Sequence, residues 1–298
     1  MFGFRSPVPS RAHRSLLEAE NALAAQSQRH PHGWGIGWFV ADEAYVLKSA
    51  TSAHTCDRFQ RMSARLTSET FLVHVRRATV GHVDHVNAHP FRFGRWLFCH
   101  NGTIFGFERM REWVSERILP SHRAQIVGDT DSEHLFHLIL ARLAAAGIDA
   151  TGRVAGDGQA IGRVVRQVAL ELDAEARRLD LERPIVNILL TDGRSMVAHR
   201  AGMPLFIATQ KSHCADFHTC PEPSKVCMLL RRPANTPVNH LLVASEQIGA
   251  DENRWEAMED GETLVLDARY FLHRTPPPAR WEAPILPTRF RIDSTAPA

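Results

Sequence analysis

Lysine is almost missing from this chain. Lys48, Lys211 and Lys225 are the only three in 298 residues, so arginine carries nearly all of the positive charge. The formal net charge is +2 and no basic run forms a block, which argues against the clustered basic face that nucleic-acid binding needs. No apolar run approaches the ~20 residues of a membrane span. The first residues include Arg5, Pro7, Pro9 and Arg11 where a signal peptide needs an apolar segment. The chain therefore reads as soluble and cytoplasmic, with no nucleic acid and no membrane among its partners. Cysteine is scarce too: five, an odd number at uneven spacing, which indicates reduced thiols and not a disulfide framework. None of them precedes Cys56, and the chain opens Met1-Phe2-Gly3-Phe4-Arg5.

A hydrophobic content of 44% can fill a large core. One domain is expected over residues 1–274, followed by a proline-rich tail at 275–298 that carries Pro276, Pro277, Pro278, Pro284 and Pro287. A short strand at 2–5 should stop at Ser6-Pro7. A helix capped by Ser10 should follow, with Leu16, Leu17, Ala19, Leu23 and Ala24 on one face. Residues 34–40 and 44–48 read as a hairpin, and 70–75 and 96–99 as buried strands that each end at a polar run. Residues 131–146 give the strongest helix, with Leu135, Leu138, Ile139 and Leu143 on one side and Gly147 at its exit. A second helix is expected over 159–178. Strand patterns return at 185–190, 195–200, 205–209, 240–244, 262–266 and 270–273. Strands, then helices, then strands again predict a sheet-rich α+β sandwich with external helices.

Three polar runs carry the chemistry: His74-Val75-Arg76-Arg77-Ala78-Thr79-Val80-Gly81, His100-Asn101-Gly102 and Gly128-Asp129-Thr130-Asp131-Ser132-Glu133. Arg76, leaving a buried strand, can grip a carboxylate through two parallel charged hydrogen bonds, although alone a structural ion pair explains it better. Asn101 and Gly102 can donate to the oxygen of a tetrahedral intermediate, each donor being worth roughly 3 kcal/mol in rate; alone an Asn-Gly turn is at least as good an account. Asp131 can receive an ammonium, while helix capping with Thr130 and Glu133 is an equally physical use of it. The two uses can coexist. Together the runs offer a cation for a carboxylate, donors for an oxyanion and an anion for an ammonium. That is the set needed to hold and cleave glutamine.

Metal and nucleotide readings are weaker. His82, His85 and His89 fall in an expected loop, and Cys214, His218, Cys220 and Cys227 match no common zinc spacing. Gly33, Gly35 and Gly37 alternate along a strand with no helix after them, which suggests close packing instead of a dinucleotide loop. Neither cofactor nor metal is expected.

In order, these runs resemble those of class II glutamine amidotransferases, a branch of the N-terminal nucleophile hydrolases, and most closely the stand-alone members without a synthase domain. The resemblance extends across His32-Gly33-Trp34-Gly35, Asn87-Ala88-His89-Pro90-Phe91, Asp192-Gly193 with Arg200, and Val243-Ala244-Ser245-Glu246. It implies a four-layer αββα sandwich. It also implies that Arg76 and Asp131 hold the glutamine α-carboxylate and α-ammonium, that Asn101 and Gly102 form the oxyanion hole, and that Thr79, Val80 and Gly81 line the same pocket. The nucleophile in such enzymes is a cysteine at the processed N-terminus, whose α-amine, with an ordinary pKa near ~7.7–8.0, accepts the thiol proton.

This chain has no such cysteine. Members often begin Met-Cys-Arg before an apolar residue, glycine and an aromatic, so Met1-Phe2-Gly3-Phe4 places the expected cysteine two residues before Met1. The first expectation is thus a shortened active enzyme that acts on glutamine or a γ-glutamyl compound. An ammonia-accepting partner enzyme takes the product, or hydrolysis is the whole reaction. The second is a non-catalytic glutamine or γ-glutamyl binder serving as sensor or partner subunit.

Overall fold

The computed structural model describes residues 1–212, 236–279 and 281. The chain begins with β1 (Phe2–Arg11), a π-helical turn (Arg14–Glu18), α1 (Leu23–Gln26), β2 (Trp34–Val40), β3 (Glu43–Ser49), α2 (Asp57–Arg65) and β4 (Thr67–Val75). Next come β5 (Phe91–Phe93), β6 (Trp96–Thr103), α3 (Phe107–Glu116), α4 (Pro120–Arg123), α5 (Asp131–Ala145) and α6 (Gly158–Arg178). The rest is strand: β7 (Ile185–Thr191), β8 (Met196–His199), β9 (Phe206–Ala208), β10 (Leu241–Ala244), β11 (Glu256–Ala257), β12 (Thr263–Leu266) and β13 (Leu272–Thr275).

Two antiparallel sheets result, one ordered β11-β9-β10-β1-β4-β2-β3 and the other β13-β12-β8-β7-β6-β5. Period-two alternation sorts the side chains into three cores. Leu72 of β4, Leu97 and Cys99 of β6 and Leu189 of β7 fill the space between the sheets. Phe71 and Val73 turn outward onto Leu16, Leu23 and Phe59, while Phe98 and Ile188 turn outward onto Leu135, Leu138 and Val165 of α5 and α6. Helix, sheet, sheet, helix is the expected αββα order. No helix among the described residues is long and apolar enough to cross a membrane.

Several local expectations change. Ser10 lies within β1 and caps nothing; the strand runs on past Pro7 and Pro9 through a register shift between Arg5 and Ser10. The irregular stretch tolerates two residues that cannot donate to a ladder. The helix expected after Ser10 is reduced to the π-helical turn and α1. The β2–β3 hairpin turns through Ala41 and Asp42, both at positive φ, as a two-residue type I′ turn requires. β13 runs to Thr275, and Trp281 packs against Gly261; residues 282–298 lie outside the described residues, as do Cys214, His218, Cys220 and Cys227.

Candidate active site

Arg76 follows β4 directly, and its main chain is pinned on both sides: its N–H donates to Gly33 O at 2.7 Å and its carbonyl accepts from His32 N at 2.9 Å. Arg76 is 4% exposed, and its guanidinium donates Nη1 to His82 O at 2.9 Å and Nη2 to Val80 O at 2.8 Å. Burial lowers its pKa, and the carboxylates of Asp129 and Asp131 pull the other way. Arg76 therefore shapes the loop after β4 by hydrogen-bonding its carbonyls, not by the ion pair considered as its simplest use. Asp129 closes that loop from outside, accepting from His82 Nδ1 at 2.6 Å and Asn87 Nδ2 at 2.6 Å.

Asn101 and Gly102 do not form a turn. They continue β6, opposite Asn187 and Val186 of β7. Asn101 Nδ2 donates to Ser245 Oγ at 3.0 Å, and Ser245 N donates to Met1 O at 3.1 Å, so the oxyanion candidate is tied to the start of β1. A Cβ on Gly102 would overlap the Ile185 carbonyl oxygen, so glycine is required here for close strand pairing and not only for substrate approach.

Asp131 opens α5. Thr130 Oγ1 caps the helix by accepting from Glu133 N at 3.3 Å, and Glu133 accepts from Val127 N and Gly128 N. The capping reading therefore holds, and it is Thr130 that supplies it. Asp131, 3% exposed, accepts from Ile104 N at 2.8 Å and points into the same hollow as Arg76.

That hollow is a cavity of about 660 Å³ lined by Met1, Arg76, Thr79, Val80, Asn101, Gly102 and Asp131, among others. Gly81 does not line it; at φ +74° it packs against Asp129 and Thr130 and turns the loop. The walls also include residues to which the sequence reading gave no role in this pocket: His74, His89, Ser132, Ser245 and Glu246. For His74 the signal was present in alternation, since it shares a face of β4 with Leu72, which packs between the sheets. The rings of His74 and His89 lie 4.5 Å apart between centroids. Burial first, then neighbouring rings and Arg76, holds both imidazoles well below their ordinary pKa, so both are neutral. His82 and His85 stand exposed on the loop while His89 is buried, so the three do not converge. Glu246 is pushed upward by burial, but hydrogen bonds from His30, Asn21 and Arg29 outweigh this and pull it down to about 2.

No cysteine lines the cavity among the described residues. Burial pushes the Cys99 thiol up to about 12, which removes it as a nucleophile near neutral pH. Ser6 bonds to Val8 O at 2.5 Å and is not among the lining residues.

Two facing antiparallel sheets between helical layers, with a polar pocket where β1 begins and β4 and β6 end, define a fold of the N-terminal nucleophile hydrolase type. The sequence matches the family described as glutamine amidotransferases class-II over residues 16–281, and the chain belongs to that family. Similar curated proteins include the probable glutamine amidotransferase DUG3 of Saccharomyces cerevisiae, 24% identical over 88% of this chain and 77% of that one. Another is the gamma-glutamyl-hercynylcysteine sulfoxide hydrolase of Mycobacterium tuberculosis, 33% identical over 30% of this chain and 42% of that one. Among solved structures, a glutamine aminotransferase class-II domain protein from Silicibacter pomeroyi superposes with a TM-score of 0.58 at 17% identity, covering 93% of this chain and 98% of that one.

Proposed function

We propose that the cavity binds the glutamyl end of glutamine or a γ-glutamyl amide and serves its hydrolysis. The observation that carries this is the convergence of Arg76, Asp131 and Asn101 on one hollow beside Met1. Arg76 would take the α-carboxylate and Asp131 the α-ammonium. The side-chain amide of Asn101 and the N–H of Gly102 would polarise the γ-carbonyl and hold the oxyanion. Thr79 and Val80 close the wall beside them.

The thiol would come from a cysteine two residues before Met1. Phe2 pairs with Val73 and Phe4 with Phe71, so the antiparallel register, carried upstream, brings that position opposite Arg76. Alternation gives it the same face as Met1, which packs between the sheets. Attack there would form a thioester and release ammonia or an amine, and water would then free glutamate. The kinship with a hydrolase named for a γ-glutamyl compound favours substituted amides as substrates alongside glutamine. Released ammonia would pass to a partner enzyme or to solvent.

A second reading, a binder without turnover, is favoured by the lack of a cavity cysteine among the described residues. The chain preceded by Met-Cys-Arg should release ammonia or glutamate from a panel of glutamine and γ-glutamyl amides. Glutamine binding without any release would support the binder instead.

A further inference from the structure

Ser132, the second residue of α5, stands between two acceptors. Its Oγ lies 2.8 Å from His100 Nδ1 and 3.2 Å from Asp131 Oδ1, and all three residues are buried. His100 Nε2 lies 3.0 Å from the Ile185 carbonyl oxygen, which can only accept, so Nε2 carries the ring hydrogen. Burial lowers the ring's pKa, while Asp131 and the Ile185 carbonyl act in the opposite sense. A neutral ring protonated at Nε2 has a bare acceptor at Nδ1. Ser132 therefore has one hydrogen for two acceptors, and one of them is always left short.

The two acceptors differ in what a ligand does to them. A carboxylate is a stronger acceptor than a neutral ring nitrogen while only the Ile104 N–H and the hydroxyl serve it. Once an ammonium bonds to Asp131, the carboxylate has other hydrogens and the hydroxyl is free to serve His100. The same ring sits beneath Gly102, where an added Cβ would lie 2.8 Å from Nε2. His100 thus sits against Gly102 at one end of the bound molecule and reaches Asp131 at the other through Ser132.

We infer that Ser132 and His100 form a hydroxyl switch that reads whether the ligand carries an α-ammonium: Ser132 donates to Asp131 in the empty cavity and to His100 Nδ1 in the filled one. Both are positioning residues, and neither touches the reacting carbonyl. The inference rests on the glutamyl reading of the cavity, because it needs an ammonium at Asp131. It couples the pairing of Asp131 to the hydrogen bonding of the ring beneath Gly102.

The test uses the chain as it stands and requires no turnover. Long-range ¹H–¹⁵N spectra of the imidazoles are recorded during titration with L-glutamate and with glutarate, which lacks only the α-ammonium. L-Glutamate should move the His100 Nδ1 resonance upfield, as a nitrogen gaining a hydrogen bond does, and glutarate should leave it in place. Ser132→Ala should abolish that movement and raise the preference for L-glutamate over glutarate by roughly threefold to tenfold, because Asp131 Oδ1 then has no hydroxyl that the ammonium must displace. Ser132→Thr should restore the movement, which a purely structural role for the hydroxyl would not require. Binding of L-glutamate with His100 unmoved, or equal movement by glutarate, overturns the switch alone. Failure of both ligands to bind overturns the glutamyl reading and the switch with it.

Discussion

Arg76 is committed twice, and that makes it the most exacting residue of the pocket. Two of its N–H groups hold the carbonyls of Val80 and His82, so its remaining donors face the cavity from a fixed plane. Arg76→Lys should weaken L-glutamate binding by about tenfold to a hundredfold, since a point charge replaces a planar fork and the loop carbonyls lose their partners. Calorimetry of the variant checks this, and unchanged affinity would place the carboxylate elsewhere. Gly102→Ala should lower stability by about 1–3 kcal/mol, because the new methyl group meets the Ile185 carbonyl within the β6–β7 pair. A denaturant midpoint equal to that of the parent chain would contradict the close pairing.

At the level of elements, the cap of α5 fixes the start of the helix beside Asp131, the proposed ammonium partner. Thr130→Ala removes the acceptor for Glu133 N and should cost about 1 kcal/mol in stability. It should also weaken glutamate binding, because Asp131 is the next residue; lost stability with full affinity would separate the two roles. What could be read from the sequence follows the same logic. α5 and α6 were legible because long apolar periodicity and clear ends outweigh local ambiguity: Gly147 at φ +76° ends α5, and Asp157 caps α6. Asn101-Gly102 could be taken for a turn because the pair favours turns in isolation, whereas here pairing with β7 on one side imposes an extended strand. The run from Ser10 was misjudged for a related reason. Its apolar spacing suits a helix, but β4 recruits Ser10 and Arg11 as strand residues opposite Ser68 and Thr67. Ser132 and His100 drew no assignment, since only folding brings α5 against β6.

Across the whole molecule, the buried histidines give folding a definite response to acid. Burial lowers His199 and His240 to about 3 and His137 to about 4, against an ordinary imidazole near 6.5. A depressed folded value means that the unfolded chain binds protons first. Stability should therefore be full above pH 6.5 and fall as pH drops from there through about 4 and 3. Glu246, lowered from 4.5 to about 2, acts with the same sign over that lower window. Urea midpoints recorded from pH 8 to pH 3 check this, and His199→Asn should flatten part of the slope. A midpoint unchanged between pH 6.5 and 4 would mean that these rings are not buried as neutral groups.

The central claim is that one cavity holds an α-amino acid by both of its charges. Calorimetric titration of L-glutamine into the chain, and into its Arg76→Ala and Asp131→Asn variants, tests it most directly. A single saturable site should appear in the parent chain and weaken by at least about tenfold in each variant. No binding to the parent chain, or binding that neither substitution disturbs, would contradict it.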